Sequence, residues 1–363
     1  MKKFVYSMLL FFIIATSSIF MGCVSNGEKF TDRLIDVENV TDREDDGKEA
    51  LVFEKIDDKD EYALIGFIGL KMKKIVIPEK FNNMPVTRIE NNVFKENDEI
   101  EEVIMPNTIT SIGRYAFESC ISLKIIILSK NLEEIKYAAF SRCSKLENIT
   151  IPKTVKTIES YAFYRCLSLK AIDIPNSVTS LGFGAFYSCS SMLYVRVSAT
   201  LQTINSKMFC DCTSLKSMIL NGSITNIGME AFLNCSSLID VVLPNTLTHI
   251  AERAFEKCTA LPSITIPKSV TYIGVNAFYD CINLSEVKLG KGLKKIDSGA
   301  FMGCTSLSDI FIPKNVTTMG HNIFSHGNEN LTVYCEAAQK PNDWMDNWVN
   351  SSINVVWGSS LQQ

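Results

Sequence analysis

Apolar side chains return along this chain on a fixed count: Phe94, Phe117, Phe140, Phe163, Phe186, Phe209, Phe232, Phe255, Phe278, Phe301 and Phe324 each stand 23 residues from the next. Alanine precedes most of them, cysteine follows by three at nine positions from Cys120 to Cys304, and leucine comes three further on, with Met192 the exception. Beyond the leucine, inward and outward positions alternate, as in Ile149 and Ile151, Ile172 and Ile174, Val195 and Val197, and Val287 and Leu289. Period two with β-branched residues predicts a strand. One side chain carried to one place at this period means a small unit stacked along an axis, a solenoid.

The remaining positions of the unit predict how the chain turns. Proline ends the strand at Pro106, Pro152, Pro175, Pro244, Pro267 and Pro313, where a missing N–H harms only a ladder that is about to stop. A second apolar pair, such as Val178 with Leu181 or Val270 with Ile273, brings the chain back across the core, with room for a second, shorter strand. Glycine just after that pair, at Gly113, Gly182, Gly228, Gly274 and Gly320, predicts a left-handed backbone in those repeats. The Ala-Phe-x-x-Cys segment is too short for a full helix and predicts one helical or 3₁₀ turn that drops the ring inward.

The spacing L-x-x-I-x-I-P, then V-x-x-I-G-x-x-A-F-x-x-C, resembles the BspA-like leucine-rich repeat family of bacterial surface proteins, from about Ala50 to Gly358. Both ends fit as well. Leu51 to Ile89 is similar to the family's opening hairpin and first coil, and Val333 to Ala337, Pro341, Trp344, Trp348 and Val355 to Gly358 to its closing element. The resemblance implies a right-handed, β-rich solenoid with parallel strands and short helical or 3₁₀ turns, capped at both ends. It also implies a secreted or lipid-anchored binding protein, with adhesion as the role.

The amino terminus reads as a processing segment. Lys2 and Lys3 precede a mostly apolar run from Phe4 to Met21, closed by Gly22 and Cys23. This resembles a bacterial lipoprotein signal in which Cys23 is cleaved and acylated, a membrane tie through lipid; a plain secretory signal or a retained membrane helix are the other readings. The next stretch is poor in apolar residues and rich in acids, among them Asp42, Glu44, Asp45, Asp46 and Glu49, a composition that favours a solvated tether. The chain thus divides into a leader at 1–22, a tether at 23–49, an N-terminal cap and first coil at 50–93, repeats at 94–326 and a C-terminal cap at 327–363.

Charge and chemistry narrow the function. The chain has 363 residues, 46% hydrophobic and 21% charged, with formal net charge −4. Loss of Lys2 and Lys3 with the leader makes it −6, from 34 basic and 40 acidic groups, so a nucleic-acid partner is not expected. Nine cysteines in one column place their side chains side by side rather than crossed, as a disulfide needs, and lack the short pairs of a zinc site. They read as small buried groups with a weak S–H donor for a backbone carbonyl. Cys210 and Cys335 lie outside that column, too far apart to pair. His249, His321 and His326 sit in no catalytic motif, the acids of Asp57 to Glu61 read as a hairpin turn, and no phosphate-binding loop or nucleophile elbow occurs. No cofactor is expected and no catalysis. Outward strand positions are left for function, with Tyr194, Arg196, Ile219, Val242 and Lys288 as the candidate binding face for a macromolecule, a protein or a cell-surface component. The rival expectation is an envelope scaffold with no host ligand.

Overall fold

Each unit crosses the core twice and then turns through a short ribbon, so three rows of backbone run along the stack. A computed structural model describes residues 50–68, 72–197, 199–220 and 223–360. The leader, Cys23 and the tether lie outside the described residues. The body is a parallel-strand β-solenoid of about 13 turns.

The first crossing forms what is here called the front sheet, in strands such as Tyr194–Arg196, Ser217–Ile219 and Asp240–Val242. Their middle residues Val195, Met218 and Val241 pair in register and point inward. The coil of Ile149 and Ile151 buries the same two positions without forming a ladder. The second crossing forms the rear sheet, in two-residue strands from Ser111–Ile112 to Thr318–Met319, each inward residue Ile, Leu or Met.

Between rear and front strands lies the phenylalanine. All eleven rings are buried, and successive centroids sit 5.0 to 6.0 Å apart with planes within 17° of parallel. Offset stacking of this kind adds about 0.5 to 1.5 kcal/mol per pair to the burial itself. The backbone of each phenylalanine is tied on both sides: the Phe117 N–H donates to Ala139 O of the next coil at 2.8 Å, and the Phe117 carbonyl accepts from Cys120 N at 3.2 Å and from Cys143 Sγ at 3.1 Å. All nine column cysteines donate in this way, at 3.0 to 3.3 Å, to the phenylalanine carbonyl of the coil before. That is the role expected of the column. Cys210 and Cys335 are likewise buried and free.

The turn ribbon differs from the helical turn expected. Ala116 N donates to Gly113 O, Glu118 N to Tyr115 O and Cys120 N to Phe117 O, each three residues back, and the third residue of the outer two turns, Tyr115 or Ser119, has φ near 57° or 59°. The outer two have the positive φ at the third residue that a type II turn requires, and the middle one does not. The same two left-handed slots recur in every coil, one two residues before the phenylalanine (Ala138, Tyr161, Lys207, Glu230, Arg253) and one two residues after it (Arg142, Arg165, Asp211, Lys257). Most hold ordinary L-residues. What holds them is the next coil: N–H groups of Tyr115, Phe117 and Ser119 donate to Tyr137, Ala139 and Ser141 carbonyls at 2.8 to 3.0 Å, which over-determines a costly backbone.

The glycines after the rear strand are, in turn, not left-handed. A Cβ on Gly113, Gly182, Gly228, Gly274 or Gly320 would stand 2.1 to 2.6 Å from backbone of the preceding coil, so these glycines allow close approach of two chains. From Gly182 onward they alternate with a larger residue, Asn205, Ala251 and Asp297.

Both open ends are closed. Ala50–Lys55 and Tyr62–Ile68 form an antiparallel hairpin whose second strand pairs with Met84–Ile89 and heads the rear sheet; Phe67 meets Phe94, with ring centroids 5.7 Å apart. The acids of Asp57 to Glu61 lie in the hairpin's turn, as expected. At the far end Trp344 and Trp348 are buried, 4.9 Å apart and edge to face, with Trp348 against Phe324 and Trp344 Nε1 donating to Val316 O at 3.1 Å.

Three outcomes follow from this packing. Phe209→Ala is expected to cost about 3 to 5 kcal/mol in urea unfolding. Gly182→Ala is expected to lower the melting temperature because its methyl meets backbone, while Ala138→Gly, at φ 51°, is expected to be neutral or stabilising by up to about 1 kcal/mol; the opposite order in thermal melts would refute the assignment. Burial pushes every described thiol up, Cys120 and Cys304 to about 12. Thiols of the unfolded chain ionise near 8.5 while the folded ones keep their protons, so stability is full below about pH 8.5 and is lost as pH rises toward 12, by about 1.4 kcal/mol per thiol per pH unit. Urea midpoints measured from pH 7 to 11 check this, with a Cys212→Ala chain showing the shallower fall.

Candidate binding face

Outward residues of the front sheet fall in two columns, one on each side of the inward residue, and the 23-residue repeat leaves both free of packing. Alternation alone puts them in solvent. Charged residues pair along the stack, in the outward column where Lys74 reaches Glu102 at 3.0 Å and at the position just before the strands, where Lys124 and Lys73 both reach Glu101, at 2.6 and 3.0 Å, and Lys170 reaches Glu147 at 2.5 Å. The lysines hold the Glu101 carboxyl down at about 2, Lys124 first and Lys73 second. Such exposed pairs contribute little to stability, but they keep these coils hydrophilic.

Three stretches of the face are apolar instead. In the middle one, Tyr194, Ile219 and Val242 are exposed by 57, 58 and 67%. Ile219 sits directly between Arg196 and Val242, and Tyr194 lies in the other outward column of the preceding strand, diagonal to Ile219. Leu193 and Ile239 are also exposed and extend the spot. The front ladder breaks here: Asp240–Val242 ends one sheet and Ser263–Thr265 begins another, and inward Val241 is only half-buried.

The expected residues are brought together only in part. Tyr194, Arg196, Ile219 and Val242 are contiguous, with Arg196 Nε 3.6 Å from Asp173 Oδ1 at the rim. Lys288 stands apart, beyond Thr265 and the ladder break, and pairs with Glu286 at 2.6 Å.

Two further spots were missed by reading the sequence. Val76, Ile104 and Ile127 pair in one outward column at the N-terminal end, with Ile125 beside them. Phe311, Tyr334 and Val356 do so at the C-terminal end. The count changes only at the outermost member of each, Lys74 facing Glu102 across 28 residues and Thr332 meeting Asn354 across 22, so stepping by 23 reaches Ile104, Ile127, Phe311 and Tyr334 but not Val76 or Val356. His249 is exposed, with Thr248 Oγ1 2.8 Å from its Nδ1 and the Tyr272 ring 6.1 Å away. Among the described residues, no group of three His, Cys, Asp or Glu is placed to hold a metal ion.

No curated protein matches the chain. Among solved structures, a leucine-rich repeat protein from Bacteroides ovatus is similar at 25% identity and TM-score 0.62, over 85% of this chain and 90% of its own. A leucine rich cell surface protein from Faecalibacterium prausnitzii is similar at 25% identity and TM-score 0.55, over 87 and 95%. The family model for the BspA type leucine rich repeat region, six copies, matches residues 65–192, 139–258 and 225–335, which run without a gap through most of the chain. With the phenylalanine stack, the thiol column and the two caps already in view, these matches place the chain in the BspA-type leucine-rich repeat family, to which it belongs.

Proposed function

We propose that this chain is a non-catalytic binding lipoprotein of the bacterial cell surface, which presents its front sheet to a macromolecular partner. The observation that carries the reading is the exposed spot of Tyr194, Ile219 and Val242 on three strands paired in register. A large aromatic with two aliphatic neighbours, rimmed by the charged Arg196 and Asp173, has the composition of a protein-recognition centre. Proteins of the BspA type are typically surface and protein-interaction proteins, and the Faecalibacterium neighbour is described as a cell surface protein. Acylation at Cys23 would hold the solenoid at the membrane, with the acidic segment up to Glu49 as its spacer.

Binding of the purified chain to an immobilised host-matrix or cell-surface protein preparation tests the face. Combined Tyr194→Ser, Ile219→Thr and Val242→Thr is expected to weaken that binding by about tenfold or more at an unchanged melting temperature; unaltered binding would remove these residues from the reading. Cross-linking on whole cells separates the envelope scaffold, which requires stable partners in the same envelope. Cys23→Ala is expected to move the protein from the membrane fraction to the medium, and continued retention would favour a spanning helix.

A further inference from the structure

The turn ribbon carries a second surface with different chemistry. Arg142 and Arg165 occupy the left-handed slot before the cysteine in successive coils, at φ 62° and 56°. In the coils around them the slot holds Ser119, Ser188, Asp211 and Asn234, short side chains of which asparagine and aspartate bond locally and tolerate this backbone best. Both arginines are exposed, and neither side chain has an ion-pair or hydrogen-bond partner among the described residues. They stand one coil apart, the step at which Phe140 and Phe163 beneath them stack at 5.4 Å.

Like charges in the same slot of successive coils repel. Exposed Lys145 adds a third cation nearby in sequence. Of the acids in and next to these coils, Glu118 pairs with Lys95 at 3.0 Å, Glu147 pairs with Lys170 at 2.5 Å and Glu159 accepts from the Tyr137 N–H at 2.8 Å. Two exposed guanidinium groups one coil apart, without an internal counter-ion, suit an anion supplied from outside.

The surroundings narrow its kind. Tyr164 and Tyr187 lie alongside, half-buried, with ring centroids 5.2 Å apart, and Tyr161 meets Tyr164 at 5.6 Å and Tyr137 at 5.8 Å. Guanidinium forks take sulfate or carboxylate in pairs of bonds, and a row of half-open phenol rings packs against the apolar faces of sugar rings. We propose that Arg142, Arg165, Tyr164 and Tyr187 form a lateral site for an acidic polysaccharide, separate from the front face.

Chromatography of the full chain on immobilised heparin tests this, with dextran as the neutral matrix and polyglutamate as the competing acidic peptide. Salt-dependent retention on heparin and none on dextran is expected. Arg142→Asn with Arg165→Asn is expected to lower heparin affinity by at least about tenfold with the melting temperature kept or raised, because Asn234 already fills the same slot. Tyr164→Ser is expected to weaken binding too. Lys257→Asn, in the same column farther along the stack, and the front-face triple change are expected to leave it intact. Unchanged affinity in the double variant, an equal loss from Lys257→Asn, or retention on dextran overturns the proposal. Displacement by polyglutamate as effective as by soluble heparin also overturns it and assigns the site to an acidic peptide.

Discussion

The phenylalanine carbonyl is the point on which the coils depend. It is buried, it has two lone pairs, and an unmet carbonyl there would cost about as much as a lost hydrogen bond. One lone pair takes the backbone N–H of the cysteine in its own turn, and the other takes the thiol of the cysteine in the next coil. The thiol is small enough to sit beneath the next ring and still donate. A serine could donate as well but would bring a stronger demand for a second partner, and alanine would leave the carbonyl half-satisfied. The cysteine column is therefore a hydrogen-bonding device, and its raised thiol ionisation is the same burial seen from the proton's side.

With that link in place the rest of the unit is constrained in both directions. N–H groups of the ribbon reach forward to the following coil, while those of the rear crossing reach back, as Gly113 N does to Ile89 O and Thr110 N to Thr87 O. Each coil is thus clamped between its neighbours, which is how residues as ordinary as Tyr161 and Lys207 are kept at positive φ. The front sheet inherits that rigidity without contributing much to it. Its outward side chains are consequently free to differ from coil to coil, and the apolar and charged stretches of the face show that they do.

Much of this was legible in the sequence, because inward positions are repeated side chains. The ring stack, the thiol role, the two crossings and both caps follow from Phe, Cys, Ile and Trp at fixed offsets. What the letters did not carry was backbone conformation. The left-handed slots hold Arg142, Glu230 or Tyr115 as readily as Gly184, so composition gives no signal, and the glycines that do recur serve close approach instead. For the binding face, the middle spot was read correctly as a neighbourhood except for Lys288, whose distance from Val242 comes from an intervening coil. Val76 and Val356, which complete the end spots, escaped because the hairpin insert before Glu102 and the shortened last turn alter the count there.

The forward and backward bonds also bear on how such a chain can change its length. Phe117 N reaches Ala139 O twenty-two residues ahead, and Cys143 Sγ reaches Phe117 O twenty-six behind. Excising one whole unit from the interior reconnects every one of these partners, because the coil on the far side offers the same atoms at the same offsets. A deletion of any other size strands a carbonyl and a thiol together. Unequal recombination between repeats is thereby filtered to whole turns, so that lineages can lengthen or shorten the display surface in discrete steps while the interior never registers the difference.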